Sequence, residues 1–382
     1  MIPHWARLLL LGLLALSCSP LKAQEAWLVT YGPGADVWER FGHNALWLRD
    51  ERTGLDHTFS FGYFELDRPG FHRDFARGIM LYYGSAGTPE REFAFYRGRE
   101  RSIELQRLNL DAGQVAHLHQ LIDAAIFPSP QYYQYHYYLA NCSTWLRDLL
   151  DEVVDGQIAA QIKDRPARLN FRDHTRRLTR EKFWLHTGMM LLLGPEVDRP
   201  RSAWEETFLP ESLADWLDQV EINGEPLVME RSLVFDSQTY QPPEHAAGPW
   251  WESLVLGLLG AALILLGLKK GGGWLARLPW LLGVLAAGLA GCAILLMWFG
   301  SGHESTWRNA MALLLNPLWF GMLLPGWTHL KRALVLVLAL GVLTGTIWLA
   351  VPMGQWRPDQ LLLAVPMLSA LLLVSWRRRT ES

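Results

Sequence analysis

Two residues in this chain have the chemistry of a nucleophile and its base. Cys142 lies in Asn141-Cys142-Ser143-Thr144, and His43 in Phe41-Gly42-His43-Asn44-Ala45-Leu46-Trp47. A thiolate attacks carbonyl carbon readily, but a free thiol is largely protonated at neutral pH and needs a base or a positive field to ionise. Leu146, Leu149, Leu150 and Val153 fall at i, i+3, i+4 and i+7, so Trp145–Val154 reads as a helix with Cys142 at its N-terminus. There, unpaired N–H groups and the helix dipole stabilise a thiolate and can receive a tetrahedral oxyanion. His43 follows a glycine, which allows close approach, and opens a predicted strand. On the following strand, Ser60 and His57 are both available to orient the imidazole. His117 and His119 lie on an amphipathic helix and read as solvated. His303-Glu304 reads as an ordinary solvated loop. There is no zinc motif, Walker loop, dinucleotide fingerprint or GxSxG elbow, so neither a metal nor a cofactor is expected.

The elements that must hold these residues form a domain over 24–245. Apolar, β-branched and aromatic runs at Ala26–Tyr31, Ala45–Arg49, Thr58–Phe64 and Arg101–Leu105 read as strands. Leu110–Ile126 reads as a helix, with Asp111 near its start and Pro128 beyond its end. Tyr132–Ala140 is an aromatic-rich segment leading to the cysteine. Strands ahead of the key helix imply an α+β domain of ~220 residues, enough for one core.

Composition divides the chain. The 382 residues sum to a net charge of −3, yet Gln24–Pro249 holds 23 Lys/Arg against 34 Asp/Glu, while Trp250 onward holds 10 against 4. An acidic half would repel phosphates, so nucleic acid is not an expected partner. Residues 1–23 read as a secretory signal: Arg7, then apolar Leu8–Leu16, then a cleavage site at Leu21-Lys22-Ala23. Ala15-Leu16-Ser17-Cys18 is a competing lipoprotein processing site. The soluble half is therefore exported. Cys142 then becomes the only thiol outside the membrane, unusual where cysteines ordinarily pair.

Residues 250–376 contain five apolar segments, about Trp250–Leu268, Leu278–Phe299, Ala310–Trp327, Ala333–Val351 and Leu361–Trp376. Each is near the ~17–25 residues a membrane helix needs, so an all-α bundle of five transmembrane helices is expected. With Pro249 outside, Lys269-Lys270, Lys331-Arg332 and Arg377-Arg378-Arg379 all fall on the cytoplasmic side.

A histidine, then a polar residue on the next strand, then Asn-Cys opening a helix resembles the permuted papain-like lecithin–retinol acyltransferase and NlpC superfamily. The closer resemblance is to the Lnb-type lipoprotein N-acyltransferase family. It is carried by Phe41-Gly42-His43-Asn44-Ala45-Leu46, Phe61-Gly62-Tyr63-Phe64, Asn141-Cys142-Ser143-Thr144-Trp145-Leu146-Arg147-Asp148, Phe171-Arg172-Asp173 and Glu206-Thr207-Phe208-Leu209-Pro210. Ser60 stands where family members often have Asn, and Trp145 where Arg is common, so Ser60 and His57 both stay open as the third catalytic residue. The resemblance implies a permuted papain-like, NlpC-like α+β domain in the periplasm, carried by a multi-pass bacterial inner-membrane protein. It implies Cys142 as nucleophile and His43 as general base. The acyl chain would pass from a membrane phospholipid, through a thioester, to the N-terminal amine of a diacylglyceryl-cysteine lipoprotein. Asn141, Ser143, Thr144 and Arg172 are candidate substrate contacts, Arg172 through a lipid phosphate or else as an intradomain ion pair. Two other readings use the same residues: a cell-wall peptidase or lipid hydrolase, and a non-catalytic membrane sensor or assembly factor.

Overall fold

The computed structural model describes residues 24–129, 131–268, 273–324, 328–351 and 355–377. The expected signal segment 1–23 with Cys18, and the basic residues at 269–270 and 378–379, lie outside the described residues.

Period-2 alternation builds the first compact unit, formed by 24–64, 81–165 and 203–240. Its antiparallel sheet has seven strands: β1 (Gln24–Tyr31), β2 (His43–Asp50), β3 (Leu55–Tyr63), β4 (Leu81–Gly87), β5 (Ile103–Leu108), β6 (Tyr133–Gln134) and β9 (Val228–Phe235). They run in the order β6-β4-β3-β2-β1-β5-β9. A separate two-stranded hairpin joins β7 (Glu221–Ile222) to β8 (Glu225–Pro226). Alternate residues face opposite ways. Ala26, Leu28, Leu46, Leu48, Phe59 and Phe61 bury against the apolar stripes of the Ala112–Ile126 and Cys142–Val153 helices. Val29, Tyr31, Ala45, Ile103 and Leu105 bury with Tyr96 of the Pro89–Gly98 helix on the other face.

The four predicted strands and the two predicted helices all form, with ends displaced by a few residues. β4 was not foreseen, because Gly84-Ser85-Ala86-Gly87 lacks the apolar residues that mark a strand. The neighbouring Pro89–Gly98 helix was missed as well, since its apolar residues cluster at Phe93–Tyr96 instead of recurring at helical spacing.

The second unit comprises 65–80, 166–202 and 241 onward. Among its described residues, four helices are long and apolar enough to cross a membrane: Trp250–Leu268, Leu275–Phe299, His329–Ala350 and Pro358–Arg377. Of the five transmembrane helices expected, four form as long α-helices among the described residues, and the third is broken. In the third predicted span, Ala310–Leu313 and Pro317–Leu323 are 3₁₀ helices, while 325–327 lie outside the described residues. Side-chain caps explain the break. Asn309 Oδ1 accepts from Met311 N at 3.0 Å and Asn316 Oδ1 from Leu318 N at 3.2 Å, so each Asn starts a new short helix, and Pro317 has no N–H with which to continue the old one.

Polar side chains are buried in this unit too. His186 Nε2 pairs with Asp359 Oδ2, and its Nδ1 lies 3.1 Å from Thr179 Oγ1. His303 is buried with Nε2 2.7 Å from the Phe75 carbonyl, so the loop expected to be solvated is packed.

Candidate active site

Cys142 is the first residue of the Cys142–Val153 helix, and Asn141 is its N-cap. Asn141 Oδ1 accepts from Thr144 N at 3.0 Å, and Thr144 Oγ1 accepts from Asn141 N at 2.8 Å, a reciprocal capping box. The amide nitrogen of Asn141 also donates to the Tyr137 and Phe208 carbonyls at 3.0 and 2.8 Å. The cap thus ties the helix start to the chain on both sides. It satisfies the third helical N–H and leaves those of Cys142 and Ser143 for other acceptors.

A second set of bonds fixes this helix end to β2. Ser143 Oγ donates to Asn44 Oδ1 at 2.8 Å, and Asn44 Nδ2 donates to Thr30 Oγ1 at 2.9 Å. All three residues are buried. Burial pushes the Cys142 thiol above its ordinary pKa; the Asn44 N–H, the Ser143 hydroxyl and N–H, and the Arg101 charge act in the opposite direction. The thiol is 9% exposed, with its sulfur 3.8 Å from Ser143 Oγ.

Beneath it, β3 carries Gly62 at φ +105°, where the β3–β4 register shifts. A side chain there would sit 3.7 Å from Cys142 Cβ and 3.9 Å from the Tyr135 ring. Glycine therefore gives the strand its left-handed turn, and an added Cβ would make only ordinary contact with the cysteine. Tyr135 stacks on Tyr82 at 4.3 Å, and Phe61 stacks on Trp145 at 4.9 Å, so the cysteine is walled by aromatic rings.

His43 opens β2 opposite Tyr31 of β1. Its ring lies parallel to those of Tyr31 and Tyr96, at 6.2 and 6.3 Å between centroids. Burial, with a smaller contribution from Arg101, pushes its pKa down to about 3. A neutral imidazole and a neutral thiol are the resting forms that these environments favour.

Register separates the two candidates for the third residue. Ser60 pairs with Ala45, two residues along β2 from His43 and on the same face. His57 pairs with Leu48, exposed on the opposite face and ~17 Å along the strand from His43. The fold brings Ser60 near His43 and does not bring His57. Ser60 Oγ itself donates to Glu92 Oε1 at 3.2 Å. Burial raises the Glu92 pKa, while hydroxyls of Thr58, Ser60 and Tyr31 favour its anion. Among the described residues, no hydrogen bond joins His43 to Cys142, Ser60 or His57; catalytic hydrogen bonds in general often tighten only with substrate. Glu92 escaped sequence reasoning because it reads as an ordinary acid in a polar helix. Only the fold gathers three hydroxyls around it.

The candidate substrate contacts are placed differently. The side chains of Asn141 and Thr144 are occupied by the cap, and Ser143 by Asn44. Arg172 belongs to the second unit and is 1% exposed. Its Nε and Nη2 pair with Asp198, Nη2 also reaching the Leu193 and Gly194 carbonyls at 3.2 and 2.8 Å. This is the intradomain ion pair rather than a contact open to lipid phosphate.

The Lnb N-terminal periplasmic domain matches residues 19–180, and the Lnb transmembrane domain matches residues 243–379. No match was found among curated proteins or solved structures. The first match contains both His43 and Cys142, and the second contains all four long apolar helices. The two occur in the family's order and cover most of the chain, which therefore belongs to the Lnb family, membrane proteins with an N-terminal periplasmic domain.

Proposed function

We propose that this protein is a thiol acyltransferase of the permuted papain-like type, in which His43 precedes the nucleophile in the chain. It moves a fatty acyl group from a phospholipid to the N-terminal amine of a diacylglyceryl-cysteine lipoprotein at the bacterial inner membrane. The observation that carries this reading is the placement of Cys142 at a capped helix N-terminus bolted to the strand that begins with His43. A ring nitrogen of His43 takes the thiol proton as Cys142 Sγ bonds to the ester carbonyl carbon. The oxyanion forms beside the uncapped N–H groups of the first helical turn. Its collapse breaks the ester C–O bond, and the imidazolium returns its proton to the departing lysophospholipid oxygen. The lipoprotein amine then attacks the thioester, an amide forms, and the thiolate leaves and is reprotonated through His43. Both substrates are anchored in lipid, so membrane helices on the catalytic chain raise their effective concentration.

The test is an intact mass of the full chain in detergent after incubation with phospholipid. The expected result is one added acyl mass, removed by hydroxylamine and absent from Cys142→Ala. No adduct, together with cleavage of muropeptides, would overturn acyl transfer in favour of peptidase chemistry.

A further inference from the structure

Arg101 has no place in the reaction just described, yet it is the buried cation of the site. It is 4% exposed and stacks over Tyr96, with Cζ 4.7 Å from the ring centre. Tyr96 is the ring that lies parallel to His43. Arg101 Nε donates to the Gly32 carbonyl at 2.7 Å. Its Nη1 stands 3.7 Å from Glu39 Oε1, too far for a hydrogen bond. Glu39 is more closely engaged by Arg99, whose Nε lies 2.6 Å from the same oxygen. Nη2 of Arg101 is buried and has no hydrogen-bond partner. A buried guanidinium with a free donor is costly unless an acceptor arrives. The thiolate is not that acceptor, since its donors are Asn44 and Ser143 and no hydrogen bond joins Arg101 to the sulfur among the described residues.

We propose that Arg101 holds the phosphate oxyanion of the acyl donor, its free Nη2 receiving a phosphate oxygen while the donor's ester carbonyl lies at Cys142. This rests on the acyl-transfer reading and deepens it by naming the side chain that tells a glycerophospholipid donor from a neutral glyceride. Arginine suits the task because its planar fork matches phosphate geometry. In a glycerophospholipid only the glycerol carbons separate carbonyl from phosphate. The span is short, and a single ring links Arg101 to the base: Tyr96 lies 4.7 Å from Arg101 Cζ and 6.3 Å from the His43 ring. A bound phosphate has a further consequence. It neutralises the charge that, after burial, holds His43 below its ordinary pKa, so the base strengthens when the donor is in place.

The test measures binding to the full-length Cys142→Ala chain in detergent, so that no turnover is required. The probes are dihexanoylphosphatidylglycerol, uncharged dihexanoylglycerol and inorganic phosphate. The phospholipid is expected to bind at least tenfold more tightly than the glyceride, about 1.4 kcal/mol. Arg101→Gln is expected to abolish that preference and leave glyceride affinity unchanged. Arg101→Lys, which keeps the charge beside Glu39 should the glutamine variant fail to fold, is expected to retain only part of it. Equal affinity for phospholipid and glyceride in the Arg101 chain would overturn the proposal without any variant. Inorganic phosphate competing as strongly as the phospholipid would overturn the lipid assignment in favour of a free-anion site. The two readings fail separately. An adduct on Cys142 formed equally fast from glyceride would remove the role of Arg101 and keep acyl transfer. Phospholipid binding through Arg101 without any adduct would do the reverse.

Discussion

At the scale of single residues, the site is set by burial more than by charge. His43 and Cys142 are both driven toward their neutral forms, and the sign of one consequence can be worked out. The native pKa of His43 is about 3, below its ordinary 6.5. Between these values the unfolded chain binds a proton that the native chain refuses, so His43 destabilises the fold as pH falls from about 6.5 toward 3. Replacing it by a neutral side chain removes that penalty. The melting temperature of His43→Gln should therefore fall less steeply than that of the wild type between pH 6.5 and 4. Parallel curves would show that His43 is not held neutral. Both residues were legible in the sequence: a lone exported thiol ahead of a helical repeat is conspicuous, as is a Gly-His pair opening a strand. Glu92 and Arg101 were not. Glu92 matters because Ser60, 32 positions away, is brought to it, and Arg101 because Gly32 after β1 and Glu39 before β2 are brought to it. No local pattern encodes either meeting.

At the scale of elements, the cysteine helix carries the most testable arrangement. Asn141 both caps the helix through its oxygen and anchors two carbonyls through its nitrogen. Asn141→Ser keeps an acceptor for the cap and removes the two anchoring hydrogen bonds to the Tyr137 and Phe208 carbonyls; Asn141→Ala removes cap and anchors alike. Losing the anchors should cost about 1–3 kcal/mol. Losing the cap should cost about 1 kcal/mol more. Thermal unfolding should thus rank wild type above Ser and Ser above Ala, and iodoacetamide labelling of Cys142 should quicken in the same order as its surroundings loosen. A serine variant as stable as wild type would show that the cap alone matters. The sequence revealed this helix through its apolar stripe and revealed the Ala112–Ile126 helix through Asp111, whose carboxylate accepts from Gln114 N at 2.9 Å. β4 was hidden because its partners, rather than its own side chains, make it a strand. The third apolar segment departs from a continuous α-helix for a different reason. Hydropathy averages over a window, whereas Asn309, Asn316 and Pro317 act at single positions.

At the scale of the whole molecule, the broken segment decides the topology. If it failed to cross the membrane, the helices after it would be inverted and their basic ends would face the periplasm. Packing in the second unit argues that it crosses. Asn316 lies on Gly291 and Phe320 on Gly288, so the segment runs antiparallel to the Leu278–Phe299 helix. Leu313 and Leu314 lie on Gly341 and Gly345, and Gly321 lies on Leu334, so it is also antiparallel to the Thr328–Ala350 helix. Those two helices therefore point the same way, and Arg277 and Lys331-Arg332 begin them on the same side. Gly257 and Gly260 pack on Leu363 and Met367, which makes the first and last helices parallel, while Gly283 against Leu371 sets the last antiparallel to the second. Arg377 then ends on that same side too. This is the orientation expected from the basic clusters, now reached with four α-helices and one 3₁₀ passage. A membrane-impermeant maleimide tests it on chains lacking Cys142 and Cys292. Glu304→Cys, before the passage, should label from the periplasmic side of intact cells. Arg332→Cys, after it, should label only once the membrane is permeabilised. Labelling of both in intact cells would mean that the segment turns back and that the basic-residue rule fails for the last two helices.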